Sequence, residues 1–119
     1  MPGGRVFVAD SNNGRVLVLD ATSGLMLTLG RGGFGPALGL PRGVVVDDLG
    51  RVYVSDTTNH HVMIYSLANG ADNPRLLASV GDEGIDDGAF EFPNGLAVDR
   101  AARLYVADRE NDRVQVWTY

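Results

Sequence analysis

The chain has 119 residues, no cysteine and a formal net charge of −5 at pH 7. That length suits one ordinary domain, and the missing cysteines exclude disulfides and thiolate metal centres. Carboxylates outnumber Lys plus Arg by 15 to 10, which argues against nucleic acid as a main partner.

Residues 1–4, Met-Pro-Gly-Gly, carry no signal-peptide character, and no apolar run nears membrane-spanning length, so no membrane association is expected and the compartment stays open. From there the chain reads as short apolar runs. Val6–Ala9 and Val16–Leu19 predict a first hairpin, and Leu25–Leu29 a further strand. Both faces of these strands are apolar, so they need cover on both sides. The glycine-rich connection Gly30–Leu40 follows.

Pro41 to Tyr65 holds three runs: Gly43–Val46, Arg51–Val54 and Val62–Tyr65. Neither gap between them has room for a helical crossover, which predicts an antiparallel meander. Arg75–Val80 is its fourth strand. A second long connection, Gly81–Phe92, leads into Pro93–Tyr119.

Pro93–Tyr119 repeats Pro41–Leu67 without a gap at an offset of 52, with Pro41/Pro93, Gly43/Gly95, Asp47/Asp99, Arg51/Arg103, Asp56/Asp108 and Asn59/Asn111 identical. Arg5–Ala21 repeats Arg51–Leu67 at an offset of 46. With the strands of a unit named A to D, the chain reads BCD, ABCD, ABC. Four-stranded antiparallel units of this period are the blades of a β-propeller. The fold class is therefore all-β, an incomplete arc of about two and a half blades. The units are 5–29, 41–80 and 93–119 of one domain spanning 1–119. A propeller closes with about 4–8 blades, so the expectation is a piece of a longer propeller, or a subunit that self-associates through open blade edges.

The runs Val46–Val62 and Ala107–Trp117 closely resemble the NHL-repeat family, and Gly81–Pro93 resembles that family's connection between blades. The resemblance covers essentially the whole chain. It implies a propeller, commonly six-bladed, and in most members a binding function. Members include substrate-recruiting domains of ubiquitin ligases, sensor domains of bacterial kinases and, as an exception, a peptide-amidating lyase. In that lyase a zinc-binding His follows the Pro that opens strand A. The matching residues here are Arg42 and Asn94, and neither supplies an imidazole.

Other features read as structure. Asp10, Asp56 and Asp108 end strand B, and each is followed five residues later by Arg15, His61 or Arg113. Recurrence in every unit marks turn chemistry, in which the Asp accepts turn N–H groups, the Asn three residues on takes the left-handed conformation and the cation pairs with the Asp. His60-His61 has no further histidine with which to build a metal set, and the acidic run Asp82–Asp87 does not match a calcium-loop spacing. No catalytic residue, metal ligand or cofactor is assigned.

The expected function is protein interaction or ligand recognition without chemistry of its own. The alternative is part of a metal-dependent propeller enzyme, amidating-lyase-like or lactonase-like. Strand direction puts the D–A and B–C connections on one face, where long loops on a rigid sheet concentrate binding residues. A protein or small ligand is expected there, with Arg42 and Asn94 near the channel mouth and His60, Arg109 and Glu110 further out. The A–B turns Asp47–Gly50 and Asp99–Ala102 are expected only to reverse the chain.

Overall fold

In the computed structural model the described residues are 4–20, 22, 24–70, 72–81, 93–101, 103–108 and 113–118, with the side chains at 94 and 118 set aside. They form β1 (Arg5–Asp10), β2 (Arg15–Asp20), β3 (Gly24–Gly30), β4 (Pro41–Val46), β5 (Arg51–Asp56), β6 (His61–Ser66), β7 (Arg75–Val80), β8 (Pro93–Val98), β9 (Arg103–Asp108) and β10 (Arg113–Thr118). These lie in three antiparallel meanders, β1-β2-β3, β4-β5-β6-β7 and β8-β9-β10. The strand positions are BCD, ABCD and ABC, as the repeat predicted. The fold is an incomplete β-propeller.

The blades stack face to face through two apolar seams. Val16, Val18 and Leu29 of the first sheet pack with Val52, Val54, Met63 and Tyr65 of the second. On its other face the second sheet sets Tyr53, Val62 and Ile64 against Leu104 and Val106 of the third. Alternation along β5 and β6 sends neighbouring residues into opposite seams, which is why these strands lack a polar face. Val52, Tyr53, Val54, Val62 and Tyr65 are all at 0% exposure, so the middle blade is dry on both faces at β5 and β6. At about 1.5–3 kcal/mol for each buried large apolar side chain, the seams are the main stabilising term.

The outward faces of the end blades stay open. Val6 and Val8 of β1 are 51% and 38% exposed, and Val114 and Val116 of β10 are 63% and 56% exposed.

Candidate functional site

Three hydrogen-bonded devices organise the ends of the blades. The first closes the B–C turn. After β1 and after β5 the chain makes a single 3-10 turn, Ser11–Asn13 and Thr57–Asn59. It then passes through a left-handed residue, Gly14 (φ 64) or His60 (φ 59). The left-handed place was expected at the Asn; it falls one residue later. The Asn instead uses its side chain: Asn13 Nδ2 donates to Asp10 Oδ1 at 3.0 Å, and Asn59 Nδ2 to Asp56 Oδ2 at 2.7 Å. The expected cations are in place, with Arg15 Nε 2.8 Å from Asp10, His61 Nε2 3.3 Å from Asp56 and Arg113 Nε 2.9 Å from Asp108.

The second device ties the D–A connection to that turn. Asp56 Oδ1 accepts the N–H groups of Gly39 at 2.8 Å and Leu40 at 3.2 Å, and Thr57 N–H donates to the Leu40 carbonyl. At its other end the connection grips the preceding blade, because Arg31 and Leu38 both donate N–H to the Gly14 carbonyl. The loop 31–40 thus lies across the top of one blade and is clamped by the next. Burial opposes the charge on Asp56, but bonds from His61, Asn59, Gly39 and Leu40 outweigh it and hold the carboxyl below its ordinary range.

The third device is a hydroxyl bond between blades. Ser11 Oγ donates to the carbonyl of Pro41, and Thr57 Oγ1 donates to that of Pro93 at 2.6 Å. Ser11 and Thr57 occupy the same place in their units, so both of these B–C turns hold the first residue of the following strand A. Sequence reading missed this pair. Its signal was a hydroxyl directly after the repeated Asp in two copies.

On the opposite face Asp47 and Asp99 organise the A–B turns identically. Asp47 accepts the N–H groups of Leu49 and Arg51, Arg51 Nε at 2.6 Å and Tyr53 Oη at 2.8 Å. Asp99 accepts Ala101 and Arg103 N–H, Arg103 Nε at 2.7 Å and Tyr105 Oη at 2.8 Å. The Arg103 N–H bond leads the causes that bring Asp99 down to about 2. These turns do more than reverse the chain. Asp47, Asp48 and Leu49 with Asp99, Arg100 and Ala101 line a cleft of about 250 Å³ between the second and third blades.

Of the expected binding residues, Arg42 is exposed at the second position of β4. His60 is 9% exposed and serves as the left-handed end of the turn, donating its N–H to the Thr57 carbonyl. It is therefore a shaping residue more than an outer contact. Asn94 is the second residue of β8, described by its backbone. Arg109, Glu110 and the connection 82–92 lie outside the described residues. Among the described residues no three of His, Asp or Glu form a group able to hold a metal.

Antiparallel meanders of three, four and three strands in series, joined through recurring Asp-centred turns, define a β-propeller repeat protein. Residues 38–65 and 90–117 match the family model described as NHL repeat, and these two units are NHL repeats. The first matched stretch begins within the connection 31–40 and runs to β6, so it includes Gly39, Leu40 and Asp56 of the clamp as well as the strands. Modules of this type often serve protein interaction.

Proposed function

We propose that this segment is a recognition module without chemistry of its own, binding a protein or small ligand across the D–A/B–C face. One observation carries the reading: the buried Asp56 carboxylate pins the irregular connection 31–40 through the N–H groups of Gly39 and Leu40. A long loop fixed in this way presents a constant outline at little entropic cost on binding. Arg42, exposed one residue beyond Pro41, supplies a cation at its edge. By alignment Asn94 stands in the third blade where Arg42 stands in the second, and Arg109 and Glu110 stand where Thr57 and Thr58 do. His60 contributes by setting the turn's path.

The test is site-directed photo-crosslinking in the full-length protein. A photoreactive residue replacing Arg42, Asn94 or Arg109 should capture the partner, and one replacing Asp48 or Arg100 should not. Capture from Asp48 and Arg100 alone would overturn the face assignment.

A second reading rests on the cleft between the A–B turns, where Asp48 and Arg100, both exposed, offer opposite charges to a small zwitterionic ligand. The same pair of substitutions separates the two.

A further inference from the structure

All ten basic residues of the chain other than histidine are arginines. Arg15, Arg51, Arg103 and Arg113 each bind an aspartate through Nε. Arg31 is exposed, and among the described residues no hydrogen bond or ion pair holds its guanidinium. It is also the one arginine with glycine on both sides, in the run Gly30-Arg31-Gly32-Gly33-Phe34-Gly35.

The fold accounts for those glycines and shows what they leave bare. Gly30 has φ 101, and a Cβ there would stand 2.7 Å from the Gly14 carbonyl oxygen and 3.2 Å from Arg15 Cα. At Gly33 a Cβ would run into Thr28. Gly32 differs: its φ of 76 favours glycine, yet a Cβ would meet nothing within 4 Å. The segment is closed on itself, Gly30 N–H donating to the Phe34 carbonyl at 2.8 Å and Gly33 N–H to that of Gly30 at 2.9 Å. Phe34, half-buried, anchors it against the seam between the first two blades. What stays outside is a guanidinium on a closed turn, with no side chain on the residue to either side of it.

We infer that Arg31 is a methylation site, the substrate of an enzyme that takes a guanidinium into a deep, narrow pocket. Such a pocket needs the substrate backbone close to its rim, and side chains flanking the arginine would hold it off. As an Nη proton passes to a base of the enzyme, that nitrogen attacks the methyl carbon of a sulfonium donor. The N–C bond forms, the S–CH3 bond breaks and the sulfonium becomes a thioether. The guanidinium keeps its charge. It loses N–H donors, and with them the two-pronged grip on a carboxylate. Arg31 opens the connection 31–40, so the change falls on the face proposed for recognition, but the modification does not depend on that reading.

The probe is the full chain with a dimethylating protein arginine methyltransferase and S-adenosylmethionine labelled in its methyl group, read by peptide mass spectrometry. Arg31 should take up two methyl groups, and Arg31→Lys should remove the label. Gly32→Asn gives the left-handed position a side chain it accepts, and should slow transfer at least about tenfold with thermal unfolding unchanged. Arg42 and Arg100, exposed but not glycine-flanked on both sides, should stay unlabelled. Four results overturn the inference: no label on Arg31, label on Arg42 or Arg100 as readily as on Arg31, equal transfer to the Gly32→Asn chain, or transfer only to the urea-unfolded chain.

Discussion

Asp56 Oδ1 accepts the N–H of Gly39 at 2.8 Å, a bond between residues 17 apart that belong to a turn and to the connection entering its blade. The same carboxylate is 1% exposed and receives Leu40, Asn59 and His61 as well. Asp56→Ala therefore strands several buried donors at once, and should cost about 3 kcal/mol or more in denaturant unfolding. Asp10→Ala, whose carboxylate takes side-chain donors at a more exposed site, should cost clearly less. Equal losses would mean the connection is not held through Asp56.

Gly39 tests the same contact by crowding. A Cβ there would run into Thr58 Oγ1 and stand 3.0 Å from Asn59 Nδ2 and 3.1 Å from Asp56 Oδ1. Gly39→Ala should cost about 1–3 kcal/mol. Adding Thr58→Ala to it should recover part of that loss, which a double-mutant cycle by urea unfolding would read.

At position 60 the backbone is left-handed, so the substitution that removes most side chain should be the mildest. His60→Gly should leave stability within about 1 kcal/mol of the parent, whereas the β-branched His60→Val should lose about 2 kcal/mol. Thermal unfolding of the two variants decides it. A His60→Gly protein as damaged as His60→Val would assign the side chain, not the turn, the larger role.

Acid should unfold the protein in a defined window. Asp47, Asp56 and Asp99 all lie below their ordinary value of 3.8, Asp99 at about 2. Lowered folded-state values mean stability that is complete above the unfolded value and lost as pH falls through the folded one. Stability measured by urea titration should be level from neutrality down to about pH 5, then fall steeply between about pH 4 and 2. A decline already complete by pH 5 would contradict these pairings.

Much of the architecture was legible because it recurs. Strands announced themselves by β-branched runs, and the offsets of 52 and 46 showed that Asp10, Asp56 and Asp108 do one job. What stayed hidden was the long-range partner. Nothing near Gly39 in sequence says that its N–H ends on Asp56, and a lone glycine in a glycine-rich run gives no hint that Thr58 leaves it no room. His60 reads as a surface histidine because its neighbours are polar. Its burial comes from the left-handed turn, whose equivalent in the first unit is Gly14. The cleft at Asp48 and Arg100 needs two turns 52 residues apart, each unremarkable by itself.

The hydroxyl bonds from Ser11 to Pro41 and from Thr57 to Pro93 have a consequence for cooperativity. Donor and acceptor always sit in successive units, as do the two ends of the connection 31–40. Nearest-neighbour coupling thus adds to the strand ladders that each unit holds within itself. Melting one sheet removes the fastening of the next, so unfolding should run along the array as a single event and not blade by blade.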